Sequence, residues 1–161
     1  MSSPKARKYQ LPDFLAPRQI AQKTYEKWLH GRALSHVKRD KKRSNEGATT
    51  EAYKTAIHNA VLNSGGYDQY TGEDLEWSLL GQYRNDESKA EARTYKAKFA
   101  LLPSVDHVGD GQGEANFKIC AWRTNDAKND LPYEKFVALC RKVVLQYDRT
   151  DHKSSNVSSE S

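Results

Sequence analysis

Cysteine is scarce in this chain, which has 161 residues and only two thiols, Cys120 and Cys140. Disulfide frameworks and four-thiolate zinc sites need more cysteines, so both are disfavoured and we expect two buried thiols. Long apolar runs are also missing: only 37% of the residues are hydrophobic, and no stretch approaches the ~20 apolar residues that span a membrane. No apolar segment follows the basic N-terminus, so we expect no secretory signal peptide and a cytoplasmic location.

Positive charge is concentrated at one end of the chain. Residues 1–43 hold twelve Lys or Arg against three Asp or Glu, a net charge of +9, while the remainder carries −4 and the whole chain +5. The density peaks in "HVKRDKKRS", where five basic residues surround Asp40. Such a block favours a polyanion, most naturally nucleic acid, although a solvated helix face without a partner has the same composition. The residues predicted to bind are Arg32, Lys38, Arg39, Lys41, Lys42 and Arg43.

Hydrophobic periodicity predicts helices in the first half of the chain. One helix follows Pro17 and ends at Gly31, and a second covers residues 33–43. The segment "TTEAYKTAIHNAVLNSGG" predicts a third, with a Thr cap and a Gly-Gly stop. Two short helices are expected after the turn-rich "GYDQYTGEDLEW".

The last third predicts a strand, a glycine loop, a second strand and a helix. The strands are "KFALLPSVDHV" and "NFKICAW", the second with strict alternation. The helix "LPYEKFVALCRKVVLQY" carries an apolar stripe that we expect to be buried core. From residue 148 the chain is polar and Ser-rich, which predicts disorder.

Asp106 and His107 stand together where the first strand ends, and "TNDAKND" opens the following helix. A hairpin of this kind brings both ends together, so Asp106 and either Asn125 or Asp126 could share a Mg²⁺ ion, which needs only one or two protein oxygens. His107 beside them has the ordinary pKa of a general base near neutral pH. Taken alone, an Asp-His pair in a loop is more often surface chemistry without a role.

The order of these residues resembles the HNH endonucleases, whose core is the ββα-metal fold. The matching stretches are "VDHV", "ANFKICAW" and "RTNDAKNDL", with Asn116 nine positions after His107 and Asn125 nine positions after Asn116. The upstream "YTG" and the "N-x-x-K" of "NDAK" also resemble sequence features that recur in this family. The resemblance implies an α+β fold in which a small ββα-metal core follows several N-terminal helices.

By the same resemblance, His107 is the general base, Asp106 and Asn125 hold one Mg²⁺ or Mn²⁺, and Asn116 braces the loop and orients His107. Asp126 is either a second ligand or an acid in the first helical turn, and we favour the latter. Arg123 and Lys128 are candidate phosphate contacts. Positions where many relatives carry zinc-binding cysteines hold Tyr67, Tyr70, Cys120 and Thr124 here, so we expect no structural zinc.

The expected partner is double-stranded DNA, cut to leave 5′-phosphate and 3′-hydroxyl ends, by a bacterial or phage-type protein. One site cuts one strand, so double-strand cleavage would require a homodimer or two visits. The segments expected are a flexible basic N-terminus (1–16), a helical basic DNA-binding region packed on the core (17–66), a nuclease core (67–147) and a disordered tail (148–161). The alternatives are a non-catalytic nucleic-acid-binding protein on a degenerate HNH scaffold and an unrelated hydrolase of small phosphate esters.

Overall fold

The computed structural model describes residues 7–156, apart from the side chains of residues 85, 92 and 151–156. Within that range the protein belongs to the α+β class, as predicted, and has one two-stranded antiparallel sheet. In chain order the elements are a 3₁₀ helix (Asp13–Arg18), α1 (Gln22–Lys42), α2 (Thr50–Ser64), a 3₁₀ turn (Trp77–Leu79), α3 (Asn85–Lys98), β1 (Pro103–His107), β2 (Phe117–Ala121), α4 (Trp122–Lys128) and α5 (Tyr133–Asn156).

Helix α1 runs without a break through Gly31, so the predicted end at that glycine is wrong. A glycine inside a helix costs only about 1 kcal/mol relative to alanine. Leu29 and Val37 belong to one buried stripe that continues on both sides of it, and burial of such side chains outweighs that cost.

Helix α2 begins and ends where the sequence predicts. The Thr49 hydroxyl accepts a hydrogen bond from the Ala52 N–H at 3.2 Å, which satisfies one of the first-turn donors. Gly65 ends the helix in a left-handed conformation, with φ at 59°, that glycine adopts without steric cost. The capping pattern is therefore confirmed at both ends.

Strands β1 and β2 form a hairpin whose register pairs Pro103 with Ala121 and His107 with Phe117. Pro103 is the first residue of its strand, a position where a missing N–H is tolerated. Successive side chains of a strand point to opposite faces, so Ser104 shares one face with Asp106 while His107 points to the other.

Helices α1 and α2 pack with the hairpin into one hydrophobic core. Tyr53 of α2 lies edge to face with Phe117 of β2, with ring centroids 5.3 Å apart. Trp28 of α1 makes a similar contact with Trp77 at 5.6 Å. This packing brings the C-terminal turns of α1 beside the end of β1.

The segment preceding α1 packs on the helices. Tyr9 is buried, its hydroxyl donates to Glu51 at 2.7 Å, and Leu15 is fully buried. The expectation of a flexible N-terminus over residues 1–16 is therefore corrected for residues 7–16, because burial of these two apolar side chains anchors them. Residues 1–6 lie outside the described range.

The chain divides into two compact units, Met1–Ala127 and Lys128–Ser161. This division differs from the expected boundaries at residues 66 and 147. The helices α1 and α2 share their core with the hairpin, in keeping with a helical region that packs on the core.

Helix α5 lies in the second unit and carries the apolar stripe that the sequence assigned to the core. Three of its members, Leu139, Val143 and Val144, are 47%, 61% and 56% exposed, and Cys140 is exposed too. The expectation of a buried stripe and a buried Cys140 is therefore wrong, since periodicity shows which side chains share a face but not what covers it. Cys120 is buried as predicted.

The end of α5 differs from the predicted disordered tail. The helix continues to Asn156, and residues 148–156 contain no proline or glycine to end it. The rest of that predicted tail, residues 157–161, lies outside the described residues. None of the helices within residues 7–156 combines the length and apolar character that a membrane crossing requires.

Candidate functional site

Asp106 lies on one face of β1 and is 6% exposed. The hydroxyl of Tyr70 donates a hydrogen bond to its Oδ2 atom at 2.5 Å. Burial raises the pKa of Tyr70 above its ordinary value, and the bond to Asp106 adds to that effect, so the phenol stays protonated and remains a donor.

Tyr70 is held in place by the turn that carries it. The buried carboxylate of Asp68 accepts hydrogen bonds from the backbone N–H groups of Tyr70, at 2.7 Å, and Thr71, at 3.1 Å. Its other oxygen accepts from the Ala121 N–H at 2.8 Å, at the end of β2. The "YTG" segment is thereby fixed to the hairpin.

Asn125 lies on the same side of the hairpin as Asp106. Its side-chain Nδ2 donates to Ser104 Oγ at 3.0 Å, and Ser104 shares its β1 face with Asp106. With Nδ2 used in this way, the amide oxygen of Asn125 is the atom that remains to accept a hydrogen bond or bind a cation. A carboxylate and an amide oxygen are hard donors that suit Mg²⁺ or Mn²⁺, which keeps waters in its remaining positions. Within the described residues, no cluster of three or more His, Cys, Asp or Glu side chains is placed to hold a metal ion.

The start of α4 differs from the sequence expectation. The helix begins at Trp122, so Asn125 and Asp126 are its fourth and fifth residues and its first turn holds no acid. The interpretation of Asp126 as a first-turn acid is corrected, because the helix starts directly where β2 ends. Asp126 is exposed.

His107 points away from Asp106, to the opposite face of β1, and packs against α1. Its Nε2 atom lies 3.0 Å from Asp40 Oδ2, and its side chain is 5% exposed. The ring meets Phe117 edge to face with centroids 5.0 Å apart. The structure therefore does not bring the predicted base together with the two predicted metal ligands.

Asp40 is the residue of this region that sequence reasoning missed. Its carboxylate is fully buried, accepts a hydrogen bond from the Tyr53 hydroxyl at 2.6 Å and contacts Arg39 Nε at 3.2 Å. A signal was present, since Asp40 falls three positions after Val37 and seven after Ala33, on the stripe that α1 buries. An acidic residue on an otherwise apolar stripe indicates that the fold supplies hydrogen-bond or ion-pair partners for its carboxylate.

The electrostatics of this buried cluster follow from its neighbours. Burial raises the pKa of Asp40, but the bond from Tyr53 and the charges of His107 and Arg39 outweigh it, so the net pKa is below its ordinary value. Burial lowers the pKa of His36 to about 4, and Arg39 acts in the same direction. Burial also lowers the pKa of His107, against the opposing effects of the Asp40 carboxylate and the Gly109 backbone. The cluster therefore favours an ionised Asp40 beside neutral imidazoles.

Asn116 contributes to the loop through its backbone. Its carbonyl accepts from the Val108 N–H at 2.9 Å, which closes the hairpin, and its side chain is exposed. The loop is tied down elsewhere by Asn45, whose Nδ2 donates to the Gly111 carbonyl at 2.8 Å.

The predicted nucleic-acid-binding residues fall into two groups. Lys38, Lys41, Lys42 and Arg43 are exposed at the C-terminal end of α1, where the helix dipole favours positive charge, and Arg32 is exposed nearer its middle. The remaining three predicted residues are partly buried, ion-paired or buried: Arg39 is half-buried against Asp40, Arg123 forms an exposed ion pair with Glu73, and Lys128 is only 6% exposed.

The four positions at which the resemblance to HNH endonucleases implied zinc-binding cysteines lie in separate surroundings. Tyr67 is 49% exposed, Tyr70 bonds Asp106, and Cys120 and Thr124 are buried. Comparisons with protein-family models, with curated proteins and with solved structures found no match to this chain.

Proposed function

We propose that this protein is a metal-dependent HNH-type endonuclease that hydrolyses phosphodiester bonds of double-stranded DNA. The observation that carries the proposal is the Asn125–Ser104 hydrogen bond, which holds Asn125 on the β1 face that presents Asp106. Strand β1 and helix α4 thereby hold one carboxylate and one amide group on the same face of the hairpin. That donor pair is suited to one Mg²⁺ or Mn²⁺.

The proposed chemistry is a hydrolysis with a defined course for each proton. The oxygen of a water molecule attacks phosphorus in line, and the bond from phosphorus to the 3′ oxygen breaks. His107 accepts the proton of that water, and the leaving 3′ oxygen takes up a proton from solvent water to become a hydroxyl. A cation bound by Asp106 and Asn125 would supply stabilisation of the negative charge that develops on the phosphoryl group. Tyr70 holds Asp106 in position for that role.

The burial of His107 sets a condition on this proposal. An imidazole that is 5% exposed and on the face opposite Asp106 must gain access to water when substrate binds. The same observation favours a second candidate, a non-catalytic nucleic-acid-binding protein in which His107 is a structural group of the core. The two candidates differ in whether DNA is cut.

DNA binding is assigned to the exposed basic residues at the end of α1. The whole first 43 residues carry a net charge of +9, against −4 for the remainder, so attraction to phosphate is strongest in that region. Asp40 of this helix contacts the imidazole, and Asn45, which follows the helix, contacts the loop after β1. Phosphate bound at α1 would therefore lie close to the proposed base.

The test is cleavage of supercoiled plasmid and of a linear duplex pool with Mg²⁺ or Mn²⁺, with EDTA as the metal control. The proteins compared are the wild type, His107→Ala, Asn125→Ala and the matched control His30→Ala, which removes an exposed histidine of α1. We expect metal-dependent cleavage that the control retains and the two site variants lose. Binding without cleavage on either substrate would favour the non-catalytic protein, and hydrolysis of a small phosphodiester without DNA cleavage would favour the unrelated hydrolase.

A further inference from the structure

The buried carboxylate of Asp40 is costly unless other groups compensate it. A fully buried charge loses its hydration, and the loss is offset only by close partners. Asp40 has three such partners: the Tyr53 hydroxyl at 2.6 Å, Arg39 Nε at 3.2 Å and His107 Nε2 at 3.0 Å. Of these three partners, His107 is the one with a proposed catalytic role, as the general base.

The carboxylate discriminates between the two nitrogens of the His107 ring. A neutral imidazole has one N–H and one lone pair, and the tautomer depends on what faces each nitrogen. Nε2 lies 3.0 Å from the anionic oxygen without hydrogen-bond geometry, so the preference is electrostatic: a proton on Nε2 is attracted to the carboxylate, whereas a lone pair there is repelled by it. Asp40 therefore favours the proton on Nε2 and the lone pair on Nδ1.

The neighbours of Asp40 keep the carboxylate in this position. A Cβ atom added at Gly111 would come within 2.7 Å of Asp40 Oδ1, so the loop that follows β1 lies directly on the carboxylate. Asn45 ties the same loop to the end of α1 through the Gly111 carbonyl. Tyr53 holds the other oxygen from α2.

We propose that Asp40 is the positioning residue for His107, holding the proton on Nε2 so that Nδ1 is the nitrogen that accepts the proton of the attacking water. This inference rests on the proposed nuclease function for its catalytic consequence, and on the Asp40–His107 contact alone for the tautomer. It assigns the buried acid of the basic block a role distinct from that of the lysines and arginines around it.

The first test is the tautomer of His107 in the folded protein, read from two-bond ¹⁵N–¹H correlations at about pH 8, where a histidine of ordinary pKa is neutral. The His107→Gln variant assigns the signals. We expect the Nε2–H tautomer in the wild type and a shift of population towards Nδ1–H in Asp40→Asn, which removes the charge at nearly constant volume. Tyr53→Phe is the matched control, because it removes a hydrogen bond to Asp40 but keeps the carboxylate, and it should retain the Nε2–H tautomer.

Once His107→Gln has assigned the signals, the wild-type spectrum decides the point without any Asp40 variant. An Nδ1–H tautomer in the wild type would overturn the proposal and would show that another acceptor, such as the Gly109 backbone, governs the ring. The same tautomer in wild type and in a folded Asp40→Asn would also overturn it.

The second test is steady-state cleavage by the same proteins. We expect Asp40→Asn to lower kcat on the order of 100-fold with little change in KM, and Asp40→Glu to recover part of the loss because it restores the charge. Wild-type kcat in Asp40→Asn would overturn the positioning role while leaving the nuclease proposal intact. The expected tautomers without any DNA cleavage would uphold Asp40 as the group that orients His107 and would refute the nuclease instead.

Discussion

Asp106 and His107 are consecutive residues of β1, and their side chains leave opposite faces of the hairpin. Asp106 receives the Tyr70 hydroxyl at 2.5 Å, while the imidazole of His107 lies 3.0 Å from the carboxylate of Asp40. The two halves of the proposed reaction centre are thus built by different parts of the chain. The connector before α3 supports the metal-binding half, and α1 supports the base.

Replacing Tyr70 by Phe should weaken metal activation. The phenol orients the Asp106 carboxylate, and the loss of such a supporting hydrogen bond typically costs 10- to 100-fold in metal affinity. We expect the Mg²⁺ concentration for half-maximal cleavage to rise by about tenfold, measured by titrating Mg²⁺ into the plasmid assay. Tyr67→Phe, at an exposed tyrosine three residues earlier, should leave the titration unchanged. Equal curves for both variants would remove Tyr70 from the metal-binding half.

Replacing Gly111 by Ala should destabilise the protein by about 1–3 kcal/mol. The glycine has φ at 80°, and an added Cβ would approach Asp40 Oδ1 to 2.7 Å, so both backbone strain and crowding oppose the change. Urea unfolding measures the difference. Gly113→Ala is the control in the same loop, because a Cβ there meets nothing within 4 Å. If both variants unfold at the same urea concentration, the close approach to Asp40 is refuted.

Stability should fall as the pH is lowered from about 6.5 towards about 4. The pKa of His36 is lowered to about 4 by burial, whereas in the unfolded chain it is about 6.5. Between these values the unfolded state binds more protons, so acid favours unfolding, by at most about 1.4 kcal/mol per pH unit for one proton. His36→Gln should flatten this slope, and the remainder is due to the other groups whose pKa the fold lowers, among them the imidazoles of His58 and His107.

The measurement is urea unfolding at several pH values between about 4 and about 7.5. His30→Gln, which changes an exposed histidine of the same helix, should keep the wild-type slope. A His36→Gln slope as steep as that of the wild type would show that other groups carry the acid sensitivity.

Removing the exposed charges at the end of α1 should weaken DNA binding and flatten its salt dependence. Each lost phosphate contact reduces the slope of log K against log salt by about 0.9. The variant changes to Ala the four exposed residues Lys38, Lys41, Lys42 and Arg43, and spares Arg39 because of its contact with Asp40. Binding to a short duplex is followed by fluorescence anisotropy at a series of salt concentrations.

A matched variant controls for net charge. It changes to Ala four exposed basic residues of α3, namely Lys89, Arg93, Lys96 and Lys98. We expect a smaller loss of affinity and a slope closer to that of the wild type. Identical slopes for the two variants would contradict the assignment of DNA binding to α1.

Local patterns were predicted well where they depend on residues close in sequence. The Thr49 cap and the Gly65 stop of α2 act through bonds within one turn, so the sequence contains all that decides them. Gly31 shows where local patterns fail. Distant parts of the chain bury the apolar side chains of α1 on both sides of this glycine, and that burial outweighs the weak tendency of one glycine to end a helix.

The candidate site likewise has some features that the sequence determines and others that depend on tertiary packing. The sequence by itself determined the order of two strands and a helix, the alternation that separates Asp106 from His107, and the basic end of α1. Only the tertiary structure decided that Tyr70 bonds Asp106, that Asn125 bonds Ser104 and that Asp40 faces the imidazole. Those contacts join residues far apart in the chain, and which of them meet depends on how the elements pack into one core rather than on any local preference.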